Sequence, residues 1–299
     1  MREQTVGASG LRVSRLGLGT STWTTVDRAQ PVFERFLNAG GTLVDVNPAT
    51  EPILGALMNN IDRDLVVISA GAGVNPALPL GRRVDCSRRS LMSGLDQTLK
   101  NLGTDYIDLW SVGFWDPKTP AAEVADTLDW AVRTGRVRYA GVRSYMAWQL
   151  AVAAAKAEIP LVAAQTEYSL LVRRAEEELI PAAQHLGVGV FAGAPLAQGV
   201  LTGKYRTGIP RDSRGASVDR DAEVQGYLDA RASIIVEALV TAAEGLGTTP
   251  AAVATAWARE KVAAVIVGAR TPEQWDEIYA SEGLTVPRAI RAALDDISL

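Results

Sequence analysis

The chain has 299 residues, 47% of them hydrophobic, enough to bury one large core, and a single domain over residues 1–299 is expected. Its 30 basic and 34 acidic residues leave a formal charge of -4 with no long block of one sign, which asks for neither nucleic acid nor an acidic membrane surface. One cysteine, Cys86, rules out an internal disulfide or a thiolate metal cluster, and one histidine, His185, rules out a histidine metal site, so no metal is expected.

The first ten residues, MREQTVGASG, lack the apolar run of a signal peptide. No later stretch approaches the roughly 18 uninterrupted apolar residues of a membrane span, and a cytoplasmic location is expected. Residues 4–16 read as a hairpin, because Gly7 to Gly10 supply turn chemistry between two short alternating runs. It sits outside the repeat that follows and is expected to act as a plug.

From there, apolar runs alternate with amphipathic ones. Strand candidates fall at residues 16–18, 42–46, 65–69, 106–111, 139–142, 161–165, 188–192 and 264–267, each bounded by glycine, proline or polar residues. In SRRSLMSGLDQTLKNLG, Leu91, Leu95, Leu99 and Leu102 recur at helical spacing and Gly103 closes the run. In PAAEVADTLDWAVRTG, Val124, Leu128, Ala131 and Val132 do the same, with Pro120 suited to the first helical turn. Eight near-continuous apolar strands, each followed by a helix with one apolar face, imply a parallel sheet buried on both sides. Closure into a (β/α)8 TIM barrel with an N-terminal β-hairpin uses the count directly. A doubly wound open sheet is the alternative, but Gly17 and Gly19 lack the third glycine and the helix of a dinucleotide-binding turn.

Ligands of such a barrel gather at the carboxyl ends of the strands. The connection over residues 193–230, with six glycines in the stretch GAPLAQGVLTGKYRTGIPRDSRGASVDRDAEVQGY, is too long for a turn and is either a functional lid or ligand loop, the favoured reading, or disordered. His185 lies in the helical run EEELIPAAQHLG and reads as a solvated helix-end residue. Trp23, Trp115, Tyr145 and Tyr168 fall on or near mouth loops and either wall an apolar pocket or pack the rim, the latter favoured for Tyr168. Glu51 opens a helix, where a carboxylate suits the helix dipole. Asp116, before Pro117, is either a mouth acid or the start of a turn.

The segments SRLGLGT, RDLVVISAG, LGTDYIDLW, RTGRVRYAGVRSY, AAQTEYSLLVRRAEEELIPAAQHLGVGV, APLAQGVLTGKY and GARTPEQWDEI occur in an order and spacing that resembles the aldo-keto reductases over nearly the whole chain. The resemblance implies NADPH lying across the mouth. It also implies a tetrad in which a tyrosine gives a proton to a carbonyl oxygen, a lysine paired to an aspartate lowers that tyrosine's pKa, and a histidine orients the substrate. Of these only the aspartate is present, as Asp45. The loop before Leu54 and Gly55 holds no tyrosine, the lysine's place is Gly71, and the histidine's is Gly113.

For the cofactor, the resemblance assigns Gly268, Arg270, Thr271, Gln274 and Glu277 to the adenosine 2′-phosphate and adenine, with Ile278 where the family has asparagine. Leu196, Gln198, Gly199 and Lys204 match the pyrophosphate loop, and Gln165 the carboxamide contact. The family's Ser-Asn pair reads Arg143 and Ser144, and its ring-stacking aromatic reads Gly193. Arg143, at the end of the fifth barrel strand, is expected either to replace the lysine as partner of Asp45 or to face solvent, leaving Asp45 to backbone donors. An NADP(H)-type oxidoreductase without ordinary carbonyl reduction is therefore expected. The alternatives are a non-redox enzyme using Asp45, Arg143 or Asp116, or a nucleotide or small-molecule binding protein; the oligomeric state is left open.

Overall fold

A computed structural model describes residues 1–75, 77–218 and 220–299. The first two strands, β1 (Glu3–Thr5) and β2 (Arg12–Ser14), pair antiparallel, with Gly7 at φ 56° in the turn. Eight parallel strands then close a barrel: β3 (Leu16–Gly19), β4 (Leu43–Asp45), β5 (Val67–Ala72), β6 (Ile107–Val112), β7 (Val137–Arg143), β8 (Leu161–Glu167), β9 (Gly189–Gly193) and β10 (Ala264–Gly268), with β10 pairing back onto β3. The expected TIM barrel and hairpin are both present.

Around it lie α1 (Val26–Asn38), α2 (Glu51–Met58), α3 (Arg88–Leu102), α4 (Ala121–Arg133), α5 (Ala147–Lys156), α6 (Leu179–His185), α7 (Asp221–Gln225), α8 (Ala230–Gly245), α9 (Pro250–Ala258), α10 (Pro272–Tyr279) and α11 (Arg288–Ser298). Strand alternation divides the core in two. Leu16, Val44, Ile68 and Trp110 face outward to helices, while Leu43, Leu109, Phe191 and Ile266 face inward. The inward set is closed from below by Val6, Leu11 and Val13 of the hairpin, so the plug is apolar and the open end of the barrel is the carboxyl-end mouth. Among the described residues, no helix is long and apolar enough to cross a membrane, and no group of three or more His, Cys, Asp and Glu could hold a metal.

Local chemistry sets the boundaries. Ser87 caps α3 by accepting from the Ser90 amide, and Gly103 ends it at φ 65°. Leu91, Leu95, Leu99 and Leu102 are all buried, each contributing about 1.5–3 kcal/mol. Pro120 falls one residue outside α4 rather than in its first turn. β5 begins two residues later than its pattern predicts, because Arg63–Leu65 form a 3-10 turn capped by the Asp62 side chain, and the strand runs on through Gly71. Gly55 is required by packing: a Cβ there would lie 2.5 Å from the Asn101 carbonyl oxygen of α3. Glu51 does more than favour a helix dipole. It is buried, accepting from the Thr98 hydroxyl at 2.8 Å and the Asn101 amide at 2.9 Å, and so staples α2 to α3.

Candidate functional site at the barrel mouth

The barrel register brings the floor of the mouth together. Asp45 stands beside Ser69, and Arg143 beside Gln165. From β7, the Arg143 side chain crosses the mouth so that Nη2 donates to Asp45 Oδ1 at 2.6 Å and to the Ser69 hydroxyl at 3.0 Å. Ser69 in turn donates to Asp45 Oδ1 at 2.9 Å, and Gln165 Nε2 reaches Asp45 Oδ2 at 3.4 Å. The two charged side chains are only 15% and 14% exposed, so this is a mostly desolvated pair rather than a surface one. Of the two sequence readings of Arg143, the paired one is realised.

The guanidinium lies directly over Gly71. A Cβ there would sit 3.3 Å from Arg143 Cζ, Nε and Nη1. Gly113 is covered likewise, since its Cβ would meet Val74 Cγ2 at 2.7 Å. Above the floor opens a cavity of about 430 Å³, with Val46, Pro48, Ala72, Val74 and Phe114 along its apolar side and Arg143, Gln165, Thr166, Glu167 and Gln198 among its polar groups. Two buried polar atoms at the floor, Arg143 Nε and Gln165 Oε1, have no partner among the described residues. Ser144, Ala194 and Gln198, at φ 53°, 48° and 57°, also line this cavity, a concentration of left-handed non-glycine backbone of the kind found at ligand clamps.

The connection after β9 is folded rather than open. It contains 3-10 turns at Ala197–Thr202 and Arg214–Ala216 followed by α7, while Asp219 lies outside the described residues. Three contacts strap it across the mouth: Arg220 Nη1 donates to the Ser21 carbonyl at 3.3 Å, Arg270 Nη1 to the Asp212 carbonyl at 2.7 Å, and the Tyr227 hydroxyl to Glu167. Beneath it, burial pushes the Lys204 ammonium below the ordinary lysine value, and the nearby Arg270 and Arg214 push the same way. Burial also lowers Arg214, with Arg220 and Arg270 adding to the effect. Thr271 caps α10 by accepting from the Gln274 amide, and Gln274 Oε1 accepts from the Arg270 amide at 2.9 Å. Gln274 is thus partly committed to the helix start. Glu277 is exposed on the same helix, whereas Ile278 is buried in the core.

The described chain from residue 15 to residue 298 matches the aldo/keto reductase family model. The chain belongs to the aldo/keto reductase family. It is 31% identical to the L-glyceraldehyde 3-phosphate reductase of Escherichia coli (strain K12), over 99% of this chain and 92% of that one. It is 32% identical to an uncharacterized oxidoreductase of Bacillus subtilis (strain 168), over 98% and 94%. It is also 29% identical to a putative voltage-gated potassium channel subunit beta of Schizosaccharomyces pombe, over 90% and 84%. Reductases of this family generally bind NADP(H).

The structure decides between several alternatives left by the sequence, and corrects the placing of Asp116 at the catalytic floor. Asp116 does not join Asp45 and Arg143. It accepts from the Cys86 amide at 3.0 Å, the Lys118 amide at 2.9 Å and the Thr119 hydroxyl at 2.7 Å, and so builds its own turn. Burial works against its charge, but these donors prevail and hold its carboxyl below the usual range. Trp115 packs edge-on against Tyr145 and Trp148 beside that turn, and it is Phe114 that lines the mouth cavity. Trp23 packs on Phe33, and Tyr168 stacks on Trp257 with its hydroxyl on Glu176 at 2.6 Å; both are packing residues. His185 is the exposed last residue of α6, as the sequence suggests. Ser69 and Glu167 escaped the sequence reading, because only the barrel register sets them at the mouth.

Proposed function

We propose that this chain is an NADP(H)-binding barrel of the reductase type in which ordinary carbonyl reduction has been given up. The observation that carries the reading is the Arg143 guanidinium paired with Asp45 over Gly71, in a cavity that no tyrosine lines among the described residues. A guanidinium donates hydrogen bonds but does not hand over its proton, so it orients an oxygen without replacing a general acid. That loss removes a contribution of about 10²–10⁴ in rate.

The residues present fit the cofactor at its phosphate end. Lys204, Arg214 and Arg270 gather beside the amino terminus of α10, and Lys204 has no carboxylate partner among the described residues. Lys204 and Arg270 would hold phosphate oxygens, and Gln165, with its unpartnered Oε1, would meet the carboxamide. When bound, the cofactor supplies a hydride. Gly193 leaves the place of the stacking aromatic open, so the nicotinamide end is held by fewer groups.

Titration of the protein with NADPH, followed by nucleotide fluorescence, tests the reading; absence of binding at high micromolar cofactor sinks it. If NADPH binds, its oxidation by reactive aldehydes should stay at least about a hundredfold slower than with a full tetrad. A second reading, a nucleotide or small-molecule binding protein, is favoured by the filled places at Gly71 and Gly113, and the names of the relatives include a channel subunit beside a reductase. NADPH bound but never oxidised by any carbonyl tested would favour it.

A further inference from the structure

We infer that the mouth cavity is a binding site for a small monocarboxylate with an apolar body, its carboxylate accepting from Arg143 Nη1. This deepens the proposed function by naming the ligand class of the same mouth, and it rests on that reading only for the mouth being the ligand site.

Of the five N–H groups of the guanidinium, those on Nη2 are used by Asp45 and Ser69. Nε is buried without an acceptor among the described residues, whereas Nη1 makes no hydrogen bond to them and is not buried, and the side chain lines the cavity. A guanidinium with Nη1 unused at the base of a pocket is short of an oxygen acceptor, and an ionised carboxylate is a stronger acceptor than any neutral group. Asp45 does not forbid the second anion. Its own charge is shared by Arg143, Ser69 and Gln165, and it lies one guanidinium farther from the ligand, where its repulsion is weaker than the contact attraction. A phosphate dianion doubles attraction and repulsion alike, but its desolvation cost grows with the square of its charge and no further cation at the floor offsets it, so one negative charge is the better match. Glu167 is exposed and engaged by Tyr227, which leaves it screened by solvent.

The rest of the pocket sets the body of the ligand. Val46, Ala72, Val74 and Phe114 line one side of the 430 Å³ cavity, and Phe114 is 46% exposed, a large apolar surface held at the entrance. Such a wall rewards an alkyl or aryl chain and gives nothing to a bare acetate ion.

The test is calorimetric titration of the full chain with hexanoate and 3-phenylpropanoate, with their neutral amides, and with acetate and inorganic phosphate. The two larger carboxylates should bind at about 1 mM or tighter, with their amides and acetate at least about tenfold weaker. Arg143→Lys keeps a cation opposite Asp45 but has no second nitrogen to offer the cavity, and should erase the preference for carboxylate over amide. Equal binding of amide and carboxylate, tighter binding of phosphate, no binding of either large carboxylate, or an unchanged preference in Arg143→Lys overturns the inference. NADPH titration of the same samples separates the two readings. Carboxylate selectivity without NADPH binding sinks the reductase reading and supports this one, whereas NADPH binding without carboxylate selectivity sinks this one alone.

Discussion

The floor of the mouth and the strap above it both present cations, but in opposite electrostatic states. At the floor, Arg143 is matched by Asp45 at 2.6 Å, so the pair is neutral and directional. Under the strap, Lys204 and Arg270 pair with no carboxylate among the described residues, and Lys204 is pushed off its ordinary pKa by burial and by its cationic neighbours. A neutral pair suits one oxygen acceptor, whereas unpaired cations suit a phosphate.

The largest expected effect breaks the floor. Arg143→Met leaves Asp45 as a mostly buried charge without its partner and should cost about 3 kcal/mol in urea unfolding. Adding Asp45→Asn should recover most of that loss, because the cost lies in the stranded charge rather than in the missing contact. If Arg143→Met unfolds at the same urea concentration as the parent, the pair is not the organising contact of the floor. The corresponding break under the strap is milder in stability and stronger in binding. Arg270→Ala should weaken NADPH by about tenfold with little change for NADH, since the side chain is exposed and its removal strands nothing. Equal weakening of both nucleotides would remove Arg270 from the 2′-phosphate.

The same contrast explains what the sequence disclosed. Eight apolar runs and a Gly7 turn are local signals, and they gave the barrel and its plug because strand period and turn chemistry are written in consecutive residues. In the strap only the cations stood out, as Lys204, Arg270 and Thr271 lie in short segments of the sequence, whereas its folded turns and its contacts across the mouth did not. The floor was legible only in part. That Asp45 needed a cation follows from burial, and Arg143 was one of two outcomes, but the Ser69 bridge and the Val74 cover over Gly113 depend on barrel register and on a loop conformation that no local pattern encodes. Asp116 misled because an aspartate before proline at a strand end has the same sequence appearance whether it faces a ligand or satisfies its own turn.

A smaller effect sharpens the electrostatic side. In the free protein Lys204 has a lowered pKa, so at neutral pH its partly buried ammonium costs stability, a cost that starts to shrink as pH passes that lowered value and is gone above 10.5, the ordinary lysine value. A phosphate partner raises the pKa again, so binding draws in a proton. NADPH affinity should therefore be fullest at lower pH and fall in the alkaline range below 10.5, the ordinary lysine value. Lys204→Arg should flatten this profile, because a guanidinium does not titrate there. A profile that stays unchanged in Lys204→Arg assigns the titration to another group.

The mildest substitution, Gly71→Ala, tests whether floor and strap are independent. The backbone at residue 71 is ordinary strand, so the alanine should gain about 0.4–1 kcal/mol from the stiffer unfolded chain. Against this, its Cβ at 3.3 Å from Cζ, Nε and Nη1 forces the guanidinium to give by a few tenths of an ångström. The net change in stability should stay within about 1 kcal/mol. The displaced guanidinium should lower the carboxylate preference a few-fold while NADPH affinity, set under the strap, stays where it was. A shift in NADPH affinity of the same size as the shift in carboxylate preference would mean that the Asp45–Arg143 pair also positions the cofactor, and that the floor took over the lysine's link to the nicotinamide as well as its charge.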